Sequence, residues 1–349
     1  MEIDKLVREN IRNLKPYTSA RDSYLSGILL DANENGIGSV IEIEDIELNR
    51  YPDPAQNDLR KVVGNYIGIP AKNLFFGVGS DEVIDLLVRI FCNPGKDNVI
   101  TAEPTYGMYQ VACEINDVEV KNVTLTEDFQ LDTEKLLANT DAQTKIIFVC
   151  SPNNPTGNLL RKKDIINLAE KFDGILAVDE AYIDFTELGS VIKEIEKYNN
   201  LVVLRTFSKA WGLAGVRCGY CAASESIIKY FMKIKAPYNL NKLTRQAVIN
   251  SVNNYSKKDL YVAEIIKERK RLKNELEKYA AIQKVFDSDS NFLLFRVPNA
   301  KNIQLKLAEK GVIIRDRSSQ INLENCLRVT IGNKEENDIF LKELNEILK

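Results

Sequence analysis

The feature that most limits what this chain can fold into is an alternation running from about residue 57 to 245. Apolar, β-prone runs are separated by amphipathic stretches: NLFFGVG then SDEVIDLLVRIF, NVITAEP then TYGMYQVACEI, KIIFVCSPNNPTG then KKDIINLAEKF, followed by GILAVDEAY, LVVLRTFSKAWG and GVRCGYCAA. Strands that are apolar at consecutive positions must be buried on both faces, and the intervening helices supply the cover. The pattern predicts an α/β fold, with a large domain built on a mostly parallel sheet covered by helices on both faces. Residues 258–279 carry charge at helical spacing and read as a long connecting helix. Beyond them, strands (NFLLFRV, VIIRD, CLRVTIG) mix with helices, which predicts a smaller α+β domain. The last helix sets Phe340, Leu341, Leu344, Ile347 and Leu348 on one stripe, with Asn333 as its candidate N-cap. A chain of 349 residues has room for two cores. The expected division is an N-terminal arm and connection over 1–45, part of it packing with the small domain, a large domain over 46–245 and a small domain over 246–349.

Composition removes several classes of function. Net charge is −3, and Lys and Arg form no block, so neither nucleic acid nor an anionic membrane is an expected partner. No apolar run approaches the roughly 18–20 residues of a membrane span, and the charged N-terminus MEIDKLVREN is unlike a secretory leader. The six cysteines are scattered, several in strand-like runs, as expected of reduced thiols in a cytoplasmic protein. The chain has no histidine. That excludes Ser-His-Asp and Cys-His catalysis and every His-ligated zinc. Proton transfer near neutral pH must then fall to Lys, Tyr, Asp, Glu or Cys, or to a cofactor.

In open parallel sheets ligands gather at the carboxyl ends of the strands, so polar residues that end apolar runs are the candidates. Four stretches qualify. In GVGSDEVIDLL two glycines precede a helix that Ser80 is placed to cap; its free N–H groups suit a phosphate, although on this stretch alone a plain capped helix is the favoured reading. In IIFVCSPNNPTG a strand ends at Asn153 and Asn154, either a simple turn or an amide aimed into a site, with an Asn-Pro bond of the kind that adopts cis. In GILAVDEAY Asp179 emerges from the sheet core, where a carboxylate needs a cation or donors, and Tyr182 follows three residues later. In TFSKAWGLAGVRCGY Lys209 sits among small and apolar residues with Arg217 eight positions on; a desolvated lysine beside a fixed cation has a lowered pKa and becomes nucleophilic. One ligand accommodates all four. A helix start and Arg217 would hold a phosphate, Asp179 would pair with a protonated ring nitrogen, Asn154 and Tyr182 would donate to a ring oxygen, and Lys209 would attack an aldehyde. Pyridoxal 5'-phosphate has each of these groups.

The order Asn154, Asp179-x-x-Tyr182, Ser208-Lys209, Arg217 resembles that of the fold-type I aminotransferases of the aspartate aminotransferase superfamily. The likeness covers nearly the whole chain. NIRNLKPYTSAR, LDANENG, NRYPDP, GVGSDEVIDLL, VIIRDRSS and CLRVTIG narrow it to the branch that transaminates histidinol phosphate. The resemblance implies that Lys209 binds the cofactor covalently and then moves the substrate's Cα proton, with Asp179 and Tyr182 as the other catalytic groups. It implies Tyr106 against the cofactor ring and Ser80, Asp81, Ser208 and Arg217 around its phosphate. Tyr51 would reach the phosphate of the neighbouring subunit in a homodimer. Arg315 and Arg328 would meet the substrate's anionic end, with Tyr17 and Asn33 nearby in the substrate site; surface ion pairs are the plain alternative for the two arginines. No metal is implied. The expected reaction joins a small-molecule amino donor, histidinol phosphate, to a 2-oxo acid, 2-oxoglutarate. The competing expectations are an aromatic aminotransferase, a phospho-amino-acid decarboxylase of the same fold, and a non-catalytic ligand-binding protein in which Lys209 and Asp179 form a structural ion pair.

Overall fold

The apolar runs become strands, and the amphipathic stretches between them become the helices that cover those strands. A computed structural model describes residues 27–31, 33, 35–37 and 52–349. In chain order the elements are β1 (Ile28–Leu29), α1 (Asn57–Ile67), β2 (Leu74–Val78), α2 (Gly79–Phe91), β3 (Asn98–Glu103), α3 (Met108–Ile115), β4 (Glu119–Thr124), α4 (Thr133–Ala138), β5 (Thr144–Cys150), α5 (Lys162–Lys171), β6 (Ile175–Asp179), β7 (Leu201–Thr206), β8 (Cys218–Ala223) and α6 (Glu225–Ile234). Then follow α7 (Lys242–Asn253), α8 (Tyr255–Leu276), β9 (Lys284–Val285), β10 (Phe292–Arg296), α9 (Ala300–Glu309), β11 (Val312–Ile313), β12 (Arg315–Asp316), β13 (Cys326–Thr330) and α10 (Lys334–Leu348).

The large sheet has seven strands in the order β2-β8-β7-β6-β5-β3-β4. β3 through β7 pair in parallel, and β8 runs antiparallel to both of its neighbours, β2 and β7. Alternate residues of each strand feed separate cores. Phe75, Phe148, Ala177 and Leu204 pack on one face against α2 and α3, while Phe76, Val149, Val178 and Val203 pack on the other. Burial on both faces is why these strands read as continuous apolar runs.

The smaller sheet is antiparallel, in the order β12-β13-β10-β9, and β1 forms a separate parallel pair with β11. The stretch VIIRD therefore contributes to two sheets. The long helix begins earlier than the charge pattern suggests, at Tyr255, and only Asn254 separates it from α7. Residues 245 and 246, the expected domain boundary, both lie within α7. Asn333 caps α10 as expected: its side chain accepts from the Glu336 N–H at 2.9 Å, and the Glu336 carboxylate accepts from the Asn333 N–H at 2.8 Å. All six cysteines are buried and unbridged. Among the described residues no helix is long and apolar enough to cross a membrane.

Candidate active site

The parallel strands β3, β5, β6 and β7 end on one edge of the large sheet, and the antiparallel β8 begins there. The residues after β3, β5 and β7, the end of β6, the start of α2 and the arginine before β8 consequently meet around one cavity of about 450 Å³. Lys209, Asp179, Tyr182, Asn154, Ser80, Asp81, Tyr106, Ser208 and Arg217 all line it, as do Asn33, Arg315 and Arg328 from the N-terminal segment and the small sheet. Tyr17 and Tyr51 lie outside the described residues.

Asp179 is the last residue of β6 and is 3% exposed. Its Oδ1 accepts from the Ala181 N–H at 3.0 Å, and its Oδ2 accepts from the Tyr109 hydroxyl at 3.0 Å. Burial raises its pKa to about 6; the two donors oppose that rise, and the acids Asp81 and Glu180 add to it. The cavity thus contains a carboxylate that is costly to keep ionised and would gain from a cationic partner.

Lys209 follows β7 in a tight turn. Its carbonyl accepts from the Gly212 N–H at 3.1 Å, and its neighbours Ser208 and Ala210 are buried. Its Nζ lies 5.8 Å from the centre of the Tyr182 ring. The Tyr182 hydroxyl accepts from the Asn33 Nδ2 at 3.1 Å and from the Asn154 Nδ2 at 3.3 Å. With both lone pairs engaged, its own proton is available to a further acceptor. Burial pushes the Tyr182 phenol up to about 12, so it remains a donor at neutral pH.

An anion cup forms where β8 meets the start of α2. Gly79 has φ +74°, and a Cβ there would lie 2.6 Å from an Arg217 guanidinium nitrogen. A Cβ on Gly219 would lie 2.3 Å from the Ser80 nitrogen. The left-handed φ favours glycine at 79, and only glycine at 219 allows the backbones of β8 and α2 to approach so closely. Ser80 does not cap the helix as expected. α2 begins two residues earlier than a Ser80 cap would have it, at Gly79, with Val78 at the cap position and no side-chain cap. Ser80 and Asp81 therefore sit inside the first turn, where N–H groups have no intrahelical acceptor. Arg217, itself in the left-handed region at φ 54°, donates to Asp81 Oδ2 at 3.2 Å, and the Tyr106 hydroxyl donates to Asp81 Oδ1 at 3.2 Å.

The opposite wall is cationic. Arg315 and Arg328 are directly paired across β12 and β13, so both side chains leave the same face of the sheet. Like charges at such a pair are destabilising unless an anion joins them. Arg328 is 4% exposed and donates to the Asn154 Oδ1 at 2.5 Å and the Asp31 carbonyl at 3.0 Å, which rules out a surface ion pair. Five cationic and three acidic side chains line the cavity among the described residues. Its charge balance favours a ligand with more than one anionic group.

Three residues at this site escaped sequence reading. Tyr109, beneath Asp179, occurs one helical turn after Tyr106 in TYGMY, and that spacing was its only signal. Arg317 lies two positions after Arg315, so strand alternation directs both to one side. Gln320 lines the cavity too, and its Nε2 donates to the Thr105 carbonyl at 3.3 Å; nothing in its local sequence signals this.

A family model described as aminotransferase class I and II matches residues 28–344. The chain is 46% identical over 349 residues to a histidinol-phosphate aminotransferase of Cytophaga hutchinsonii, covering 99% of this chain and 98% of the relative. It is 45% identical over 347 residues to one of Bacteroides thetaiotaomicron, covering 99% and 98%. Among solved structures, it resembles the Sinorhizobium meliloti histidinol-phosphate aminotransferase in complex with pyridoxal-5'-phosphate (TM-score 0.90, 22% identity, covering 98% of this chain and 97% of that one). It also resembles the Clostridium acetobutylicum histidinol-phosphate aminotransferase (TM-score 0.83, 26% identity, covering 91% and 98%).

Proposed function

Since the chain belongs to the class I and II aminotransferases, and within them to the histidinol-phosphate aminotransferase family, we propose that it transfers the amino group of histidinol phosphate to 2-oxoglutarate, using pyridoxal phosphate, in histidine biosynthesis. The products are imidazole acetol phosphate and glutamate. The observation that carries the substrate assignment is the Arg315–Arg328 cross-strand pair, which faces the same cavity as Lys209 and Asp179. Guanidinium groups pair in bidentate fashion with both phosphate and carboxylate. One site can thereby receive an alkyl phosphate in one half-reaction and a dicarboxylate in the other.

The residues fit the cofactor on three counts: a glycine-built cup at a helix start with an arginine beside it, a buried carboxylate in need of a cation, and a half-buried lysine on the same cavity. Bound pyridoxal phosphate supplies an electrophilic aldehyde and a protonated ring that takes up electrons when the substrate Cα–H bond breaks. The protein does the rest. Ser80 and Asp81 N–H groups, Ser208 and Arg217 would hold the phosphate. Tyr106 would lie against the ring. Asp179 would hold the proton on the ring nitrogen, and Asn154 and Tyr182 would donate to the ring oxygen. Lys209 would hold the aldehyde end of the group, and its amine is the base placed to move the proton from the substrate Cα. No histidine is required.

The working unit in this reading is a cytoplasmic homodimer, with Tyr51 completing the partner's phosphate site. Val78 beside the cup and Tyr238 and Leu243 further along the chain are exposed apolar side chains that a second subunit would cover. The division into arm, large domain and small domain belongs to the same reading. Purified protein with histidinol phosphate and 2-oxoglutarate should form glutamate in step with loss of the amine. Failure with that pair together with turnover of phenylpyruvate would make it an aromatic aminotransferase, and release of carbon dioxide from a phospho-amino acid would make it a decarboxylase.

A further inference from the structure

Tyr109 lies wholly inside the protein and outside the cavity's lining. Its ring stacks on Phe148 (centroids 4.8 Å, interplanar angle 6°) and meets the Tyr106 ring edge-on (5.6 Å, 87°), so packing fixes its orientation. Its hydroxyl reaches the Oδ2 of Asp179 at 3.0 Å. A tyrosine sandwiched for packing alone would have no need of its oxygen, because burying a hydroxyl without a partner is unfavourable and phenylalanine would fill the same space.

We propose that Tyr109 is a positioning residue for the cofactor: its hydroxyl fixes the Asp179 carboxylate and keeps it ionised, so that Asp179 can hold the proton on the pyridine nitrogen. This rests on the reading of Asp179 as that nitrogen's partner. The geometry supports it in two ways. The Ala181 N–H and the Tyr109 hydroxyl each occupy one carboxylate oxygen, fixing the plane of the group while leaving a lone pair on each oxygen. Tyr106, two residues before α3, accepts at its carbonyl from the N–H of Tyr109 in the first turn of that helix at 3.3 Å, so one local link would set both the contact with the ring face and the acid at the ring nitrogen.

The groups that face Asp179 explain why a neutral donor is needed. Asp81 from α2 and Glu180, the residue after β6, both disfavour its charge, and Cys150 from β5 and Tyr182 are buried and neutral at pH 7. Glu180 is itself neutralised by Arg205 of β7, whose Nη2 lies 2.7 Å from it. Burial holds the Tyr109 phenol well above its ordinary pKa, so it donates across the working range.

The test is binding rather than turnover. Pyridoxamine phosphate has no aldehyde for Lys209 and binds without a covalent bond. Its 1-deaza analogue replaces the ring nitrogen with carbon. Affinities of both for cofactor-depleted protein can be read from quenching of Trp211, the chain's one tryptophan, two residues from Lys209. Wild-type protein should prefer pyridoxamine phosphate, and the preference should rise as Asp179 ionises near pH 6. In Tyr109→Phe the preference should fall about tenfold below pH 6, the scale of one hydrogen bond to a charged acceptor, and only about twofold at pH 7. Its rise with pH should also move about one pH unit upward. Binding of the deaza analogue should change little. Equal weakening of both ligands, or a wild-type preference and pH profile in the variant, overturns the role of Tyr109. Equal binding of the two ligands by wild-type protein instead overturns the assignment of Asp179, and the role of Tyr109 falls with it.

Discussion

Replacing Asp179 with asparagine should make the cofactor-free protein more stable while disabling the site. The ordinary carboxylate value is 3.8, and burial raises Asp179 to about 6. The folded state therefore binds this proton more tightly than the unfolded state does. Stability is unaffected below pH 4, declines as pH rises toward 6, and is lowered by a constant amount above that. A tenfold change in protonation equilibrium is worth about 1.4 kcal/mol, so the full penalty is about 3 kcal/mol above pH 7 and roughly half that at pH 5. The neutral amide of the Asp179→Asn variant escapes it. The amide oxygen can accept from the Ala181 N–H and the amide nitrogen can donate to the Tyr109 oxygen, so neither existing partner is stranded. For a chain of 349 residues, about 3 kcal/mol corresponds to a melting shift of about 4 °C. Thermal or urea unfolding of cofactor-free wild type and Asp179→Asn at pH 5 and pH 8 measures the difference. The variant should lead at both, and by more at pH 8. Added pyridoxal phosphate should then stabilise wild type far more than the variant and reverse the order. A variant less stable than wild type at pH 8, or a gap independent of pH, would refute the claim that Asp179 is held ionised at a cost which the cofactor offsets.

Three further substitutions separate the roles. Lys209→Ala should abolish glutamate formation yet bind pyridoxamine phosphate within a few-fold of wild type, as equilibrium titration can show. Arg328→Ala should raise the KM for histidinol phosphate by about a hundredfold, the scale of removing a buried charged hydrogen-bond partner, with little change in cofactor affinity; Arg328→Lys should recover only part, because an ammonium cannot make a bidentate pair. Gly219→Ala should weaken binding of pyridoxal phosphate by at least about tenfold, since the new Cβ meets the Ser80 backbone rather than a flexible side chain; equal affinity would show that the cup tolerates a shift.

Much of this architecture was legible because burial on both faces leaves a clear trace in sequence. The runs that became β2, β3, β5, β6 and β7 could be read directly, and with them the strand ends that bear Asn154, Asp179 and Lys209. Direction could not be read: GVRCGYCAA has the composition of its parallel neighbours, yet β8 runs against them, and position 219 admits only glycine because the start of α2 lies against it. The pairing of β1 with β11 depends on residues nearly three hundred positions apart and left no local pattern. Ser80 looked like a cap because Ser is a good one, but the left-handed Gly79 starts the helix earlier. Tyr109 was invisible as a supporting group because a buried tyrosine in a helix reads as core until its hydroxyl is seen beside Asp179.

The catalytic role of this cavity turns on which lysine carries the cofactor. Treating the pyridoxal-phosphate-loaded protein with borohydride and mapping its peptides by mass spectrometry addresses this directly. A phosphopyridoxyl group fixed on Lys209 alone is the expected result, and one found on a different lysine, or on none, would contradict the assignment of this cavity as the catalytic site.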